Sequence, residues 1–204
     1  MTAAEGLRFP VIVKPNIGGS GAGIRRFDTP ASLANAMPML DLGIDHTALV
    51  QEFIPAENGR ITRVEILGRR YLYAIRIYSS GQEFNLCPAD VCQSTDGVEL
   101  ERAACPVDAP KNGLRVEGYT PPSDIIAAVE RIMHASGIEI GGVEYTIDER
   151  DGRLYFYDIN ALSNFVAEPL RIIGFDPFVR LVDFLAQEAA RADATPRQLV
   201  QEVA

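Results

Sequence analysis

The sequence predicts a layered fold of the α/β or α+β type, and two observations support this prediction. Segments with the β-branched, apolar character of strands alternate along the chain with segments that have the periodicity of amphipathic helices. The composition, with 47% hydrophobic and 23% charged residues, is that of a globular protein. At 204 residues the chain is long enough for one domain, or for two small subdomains that share a core.

In the first quarter of the chain we expect three strands and one helix. The strands are predicted over residues 9–15, 24–27 and 49–54, and a cluster of glycines separates the first two. Thr29 is the expected N-cap of the helix because Pro30 occupies its first position. Pro38 should kink or shorten this helix, since proline cannot donate a helical hydrogen bond.

The rest of the chain predicts two further pairs of strands, over residues 63–68 and 71–79 and over residues 142–148 and 154–160. Residues 80–122, which lie between the pairs, are rich in Gly, Pro and Asp, and we predict little regular structure there.

Three more helices are expected in the second half of the chain. Ser123 is the predicted cap of the first, and Gly137 its predicted end. Asp176 and Pro177 open the second, whose apolar stripe consists of Phe178, Leu181, Val182, Leu185 and Ala189. A short terminal helix is predicted from Thr195.

The net charge of −9 and the pI near 4.8 provide no basic surface for a nucleic acid or an anionic membrane. We therefore expect no nucleic-acid partner and no membrane association. Three cysteines, an odd number, fit a protein of the reducing cytoplasm. The 19 basic residues include only two lysines, Lys14 and Lys111.

Lys14 stands near the end of the first strand, directly ahead of a glycine-rich loop. The loop comprises Gly18, Gly19, Ser20, Gly21 and Gly23. Such a loop lets backbone N–H groups approach a polyphosphate, and the lysine supplies positive charge. Neither the P-loop nor the Rossmann fingerprint fits this order of residues. The alternative is a flexible hairpin tip with an incidental lysine.

An acidic hairpin follows at residues 141–160. Asp158 and Asn160 are two apart on a strand, so their side chains leave the same face. A three-residue loop over 150–152 would set Glu144 directly opposite Asp158. Two carboxylates and an amide oxygen at this spacing are suited to Mg²⁺. The alternative is a solvated hairpin face. The same alternation places two tyrosines, Tyr155 and Tyr157, on the hairpin's other side.

A phosphate-binding loop together with a magnesium hairpin describes an ATP site, and here the sequence resembles the ATP-grasp superfamily. Within it, the RimK-type and D-alanine–D-alanine-ligase-like carboxylate–amine ligases are most similar. FPVIVKP and GGSGAGI look like the family's lid, with Lys14 matching the lysine that contacts the α- and β-phosphates. VEY followed by DIN matches its magnesium ligands, here Glu144, Asp158 and Asn160.

Two further segments carry the resemblance. LVQEFIP looks like the strand that receives adenine, which implies nucleotide contacts from Gln51, Glu52, Phe53 and Ile54. ITRVEILG and RYLYAIRIY are similar to the strand pair beneath the nucleotide. In that pair Arg63 and Arg76 would be catalytic residues that contact phosphate or acylphosphate.

The resemblance implies an α+β ATP-grasp fold, with a lid subdomain at residues 1–54 and a second subdomain at 55–204. It also implies a C–N bond-forming ligase that uses ATP with Mg²⁺ or Mn²⁺, an acylphosphate intermediate, and small carboxylate and amine substrates. Only 13 residues precede Lys14, so we expect an upstream domain of the same gene. Gly142 stands where many such ligases have an arginine. The competing hypotheses are a non-catalytic ATP-binding module and a structural α+β domain.

Overall fold

The computed structural model describes residues 6–17, 23–78, 115–161 and 165–194, and within them the α+β class is confirmed. The glycine loop at 18–22, most of the segment 80–122 and the helix predicted from Thr195 lie outside the described residues. The strands are β1 (Val11–Pro15), β2 (Arg25–Phe27), β3 (Ala48–Glu52), β4 (Ala56–Leu67), β5 (Arg70–Tyr78), β6 (Arg115–Tyr119), β7 (Ile140–Asp148) and β8 (Leu154–Ala161). The helices are α1 (Pro30–Ala36), α2 (Ser123–Ser136), α3 (Pro169–Ile172) and α4 (Pro177–Ala194).

The first sheet is small and antiparallel, with strand order β2-β1-β3. Its core consists of Val11, Val13, Phe27 and Leu33, of which the last is the buried residue of α1. Thr29 caps α1 as predicted, in a reciprocal capping box with the side chain of Ser32. The helix gives way after Ala36 to a 3₁₀ turn, Met37–Met39, that contains the proline expected to shorten it.

The second sheet has five antiparallel strands in the order β6-β5-β4-β7-β8. One face packs on α2, whose Val129 and Met133 join buried residues of β4, β5 and β7. The other face packs on the segment after β8, where Phe165 and Val166 contact Ile75 and Ile77. Because both faces carry apolar clusters, this sheet forms the centre of the molecule.

Strand β4 begins seven residues earlier than predicted, at Ala56. Asn58 and Gly59 have φ values of 56° and 61°, and the register with β7 shifts between Ala56 and Ile61. The bulge allows a polar sequence with the character of a loop to be part of strand β4. The sequence prediction missed it because a bulge breaks the two-residue alternation of side chains.

Helix α2 ends at Gly137, as predicted, in a left-handed conformation with φ of 71°. Its start differs from the prediction. Pro122 is the N-cap, Ser123 is already helical, and no side chain caps the helix. The cap prediction was wrong because Pro121 and Pro122 fix the entry of the chain without help from a serine hydroxyl.

Helix α4 begins at Pro177 as predicted, but the expected apolar stripe is largely exposed. Phe178, Val182 and Leu185 are 54%, 64% and 51% exposed. Leu181, a member of the same stripe, packs against the core cluster. Periodicity identified the helix correctly, yet it does not specify how much of the apolar stripe is buried. None of the described helices is long and apolar enough to cross a membrane.

Candidate functional site

Six residues form a compact block on one face of β4, β7 and β8. The register gives two rows across the three strands: Arg63, Glu144 and Asp158 in one, and Glu65, Gly142 and Asn160 in the other. Cross-strand partners share a face, and so do residues two apart on a strand, so all six lie together. The predicted pairing of Glu144 with Asp158 is confirmed.

The loop that produces this pairing differs from the prediction. Asp148 donates its backbone N–H to the carbonyl of Arg153 at 2.8 Å, which makes a four-residue loop over 149–152 in place of a three-residue one. The register shifts back between Glu144 and Tyr145. An extra residue on β8 therefore compensates for the longer loop, and the two departures cancel at Asp158.

That extra residue is Tyr157, and its predicted place on the other side of the hairpin was wrong. Its hydroxyl donates a 2.9 Å hydrogen bond to Oε2 of Glu144. The pKa of the Tyr157 phenol is raised well above its ordinary value, first by burial of the hydroxyl and then by the Glu144 charge. Simple alternation along β8 could not identify this contact, because the bulge changes which face the side chain meets.

Arg63 lies at the centre of a buried ion network. Its Nε is 2.5 Å from Glu65 Oε1 and its Nη1 is 2.9 Å from Glu144 Oε1, while the residue is 3% exposed. Burial disfavours the charged guanidinium, but the two carboxylates outweigh burial and raise the pKa of Arg63. Arg63 therefore stays charged at every physiological pH.

Gly142 provides the space that the guanidinium of Arg63 occupies. A Cβ at this position would lie 2.8 Å from Nη2 and 2.9 Å from Nε of Arg63. Real carbon atoms do not approach so closely, so any side chain at position 142 would displace the arginine. The buried arginine on β4 therefore requires a residue without a side chain at this position of β7.

The block has the ligands and the charge to hold a divalent cation. Burial raises the pKa of Glu144, the Arg63 charge opposes this, and repulsion from Asp158 adds to it. Asn160 donates Nδ2–H to Asp158 Oδ2 at 2.8 Å, which leaves its carbonyl oxygen available as a ligand. Among the described residues no group of three or more His, Cys, Asp or Glu could hold a metal ion, so a cation here would take two carboxylates and the amide oxygen of Asn160.

Arg76 does not join this block. It pairs with Thr62, the neighbour of Arg63 on β4, and so lies on the opposite face of the sheet. Its guanidinium carbon stacks 3.4 Å from the centre of the Tyr119 ring. The two arginines that the sequence grouped as catalytic candidates are therefore separated by the sheet.

Of the predicted lid and adenine residues, Lys14, Gln51 and Glu52 lie on strands of the small sheet. Lys14 pairs with Leu49 and projects from the face opposite the Val13 core. The loop residues Gly18, Gly19, Ser20 and Gly21 are outside the described residues. Gly23 is described, and its φ of 75° and a contact of 2.9 Å between a built Cβ and Pro15 both require glycine.

Some backbone groups of the candidate adenine segment are already hydrogen-bonded to β1. Phe53 donates its N–H to Pro10 at 2.9 Å, so by alternation Gln51 is also paired with β1. The N–H and carbonyl of Glu52 then face the outer edge of β3, while its carboxylate binds Arg8. Ile54 lies beyond the end of β3, on the link to β4.

No protein-family profile matches the chain. A D-alanine–D-alanine ligase of Geobacter sulfurreducens is 33% identical over 97 residues, which cover 42% of this chain and 29% of the ligase. The ATP-grasp ligase PsnB, in complex with a precursor variant, Mg and ADP, superposes with a TM-score of 0.57 at 19% identity. The biotin carboxylase domain of the Hydrogenobacter thermophilus 2-oxoglutarate carboxylase, with MgADP and bicarbonate, gives 0.58 at 20% identity.

The two superpositions cover most of this chain but less than half of each known protein. The PsnB superposition includes 87% of this chain and 46% of PsnB, and the carboxylase superposition includes 90% and 38%. The chain thus spans under half the length of the proteins that it resembles.

Proposed function

The chain has the ATP-grasp fold, and from that premise we propose that the protein is an ATP-dependent carboxylate–amine ligase in which this chain provides the Mg-ATP site. The observation that carries the proposal is the six-residue block on β4, β7 and β8. Arg63 and Glu65 neutralise each other, so Glu144 and Asp158 leave a net charge of −2. One divalent cation balances that charge.

Glu144, Asp158 and Asn160 are the residues that would hold magnesium. The bound ion would neutralise phosphate oxygens and orient the triphosphate. PsnB and the carboxylase domain were both solved with ADP and magnesium, which supports the proposal. Mn²⁺ prefers similar oxygen ligands and is the natural substitute.

The proposed nucleotide contacts come from the small sheet. Lys14, with the loop at 18–21, would bind the phosphates as a flexible point charge. The outward backbone groups of Glu52 would bind the adenine edge, with Ile54 and Phe53 beside it. Gln51 contributes through its side chain rather than its backbone, since its backbone is paired with β1.

The proposed reaction has two steps. A carboxylate oxygen of the substrate attacks the γ-phosphorus, the bond to the β-phosphate oxygen breaks, and ADP leaves. An amine then attacks the acyl carbon, and inorganic phosphate departs as the amide forms and the amine loses a proton. The chain's own residues contribute position and charge rather than a covalent nucleophile.

A non-catalytic ATP-binding module is the second candidate. It is favoured by Arg76, which lies on the far face of the sheet, and by Gly142, which stands where many such ligases have an arginine, so the site face lacks two expected cations. ADP release in the presence of D-alanine, which offers both a carboxylate and an amine, distinguishes the two candidates. D-alanine is the appropriate first probe because of the match to a D-alanine–D-alanine ligase.

Thermal unfolding with Mg-ATP tests the site. We expect millimolar Mg-ATP to raise the Tm, because a ligand of the native state stabilises it by mass action. Asp158→Asn should lose the magnesium-dependent part of this rise without lowering the Tm of the free protein, since the change removes repulsion with Glu144. For Lys14→Ala we expect ATP to produce no rise in Tm, either with magnesium or in EDTA.

Asp151→Asn, in the loop of the same hairpin, is the matched control and should retain the full rise. An unchanged Tm for the native protein in Mg-ATP would contradict the proposed site. A rise that survives Asp158→Asn would contradict the assignment of the magnesium ligands.

A further inference from the structure

Tyr157 is the residue that the β-bulge inserts into β8. Phe156 pairs with Tyr145 and Asp158 pairs with Glu144, so Tyr157 has no partner on β7. A bulge of this kind re-aims a side chain, and here it brings a hydroxyl to Glu144 at 2.9 Å. Tyr157 thereby joins the block through the bulge and not through the alternation of the strand.

Glu144 is held on both of its oxygens. Arg63 donates Nη1–H to Oε1 at 2.9 Å, and Tyr157 donates its hydroxyl to Oε2 at 2.9 Å. Each carboxylate oxygen has two lone pairs, so each retains one for a cation. The two donors come from β4 and β8, on either side of β7, and together they fix the plane of the carboxylate.

Arg63 can serve as a fixed donor because it is itself immobilised. Glu65 binds its Nε at 2.5 Å, and the guanidinium lies over Gly142 at distances that leave no space for another side chain. Buried neighbours thus set the position of the Arg63 donor, and the bulge in β8 sets that of Tyr157.

We propose that Tyr157 is a positioning residue for the divalent cation, and that with Arg63 it gives the site its preference for Mg²⁺ over Ca²⁺. The proposal rests on the proposed function of the same block. Mg²⁺ requires near-octahedral geometry at short distances, whereas Ca²⁺ accepts variable geometry. A carboxylate that is held at both oxygens favours the more demanding ion, and a free carboxylate adapts to either.

Tyr157→Phe tests this inference, because it removes one hydroxyl and keeps the ring. The measurement is titration calorimetry of the full chain with Mg²⁺ and with Ca²⁺, in the presence of ATP. Loss of a residue that orients a metal ligand typically costs tenfold or more in affinity, so we expect Mg²⁺ to bind roughly tenfold more weakly. Ca²⁺ affinity should change far less, so the Mg²⁺/Ca²⁺ ratio should fall.

Tyr155→Phe removes a hydroxyl from the same strand and should leave both affinities unchanged. Equal weakening of both ions by Tyr157→Phe would show a merely structural role and overturn the proposal. Unchanged Mg²⁺ affinity would overturn it too. If the native chain binds no Mg-ATP, the proposed function itself has failed, and the two failures are thus distinguishable.

Gly142→Ala is the second variant, and it acts on the other donor. The added methyl would clash with Nη2 and Nε of Arg63 and should displace its guanidinium from Glu144, while the hydroxyl of Tyr157 is retained. If both donors position Glu144, this variant should also lower the Mg²⁺/Ca²⁺ ratio. An unaltered ratio in a folded Gly142→Ala protein would overturn the part assigned to Arg63.

Discussion

At the scale of single residues, the site depends on a pair of positions that are complementary in volume. Arg63 places a large, charged group on β4, and Gly142 on β7 provides the space for it. A buried charge is tolerated only when it is paired, and Glu65 and Glu144 supply the pairing. The glycine is therefore required by the arginine and not by the backbone conformation of β7.

Gly142→Ala should lower the free energy of unfolding by about 1–3 kcal/mol, the usual cost of forcing an extra group into a packed core. Urea denaturation of the variant and the native protein measures this change. In an Arg63→Ala background the methyl has room, so the same substitution should cost much less. An equal cost in both backgrounds would refute the steric account.

The pKa of the Asp148 carboxyl is lowered to about 2, first by hydrogen bonds from Arg150 and then by the charges of Arg150 and Arg8. Because the folded pKa lies below the ordinary value, this group stabilises the protein above about pH 4. That stabilisation, on the order of 2 kcal/mol, is lost as the pH falls towards 2.

Asp148→Asn should therefore be less stable than the native protein at pH 7, and the difference should shrink as the pH falls from about 4 to 2. Urea denaturation at several pH values measures it. Asp183→Asn, on an exposed side of α4, should not show this convergence. Parallel pH curves for native and Asp148→Asn proteins would rule out the ion-pair explanation.

At the scale of elements, the sequence predicted the strands and helices better than their packing. The predicted turn register set Glu144 against Asp158, as observed, yet the loop is one residue longer than predicted and a bulge in β8 compensates for it. A two-residue period carries no signal for a bulge, so Tyr157 was assigned to the wrong side. The acidic and amide residues of the candidate site were identifiable from the sequence, whereas the hydrogen bonds by which Arg63 and Tyr157 hold Glu144 were not.

Two leucines of α4, one turn apart on the same stripe, differ in packing and form a matched pair. Leu181→Ala should lower the free energy of unfolding by at least about 1 kcal/mol, because Leu181 packs against the core cluster. Leu185→Ala, at a side chain that is 51% exposed, should change it by less than about 0.5 kcal/mol. Both values come from urea denaturation, and equal losses would contradict this difference in packing.

At the scale of the whole molecule, the order of local motifs was sufficient to predict the ATP-grasp fold. The contacts that join the two sheets were not predictable, because they link residues far apart in sequence. Arg8 forms ion pairs with Glu52 on β3 and with Asp148 on β7, each at 3.2 Å. Arg8 and Asp148 are 140 residues apart in the sequence. Glu149 donates its N–H to Pro55 at 3.0 Å beside this bridge.

The two ion pairs of Arg8 should therefore hold the small sheet against the large one and oppose local unfolding of the small sheet. Arg8→Ala removes one side chain from both ion pairs, and hydrogen exchange should accelerate in β1 and β3 more than in β4 and β7. A loss of about 1 kcal/mol corresponds to roughly fivefold faster exchange. Arg153→Ala, at a largely exposed arginine of the hairpin, should leave the small sheet unchanged. Equal acceleration of exchange in both sheets would contradict this prediction. It would show that Arg8 stabilises the whole molecule, and not only the attachment of the small sheet to the five-stranded sheet.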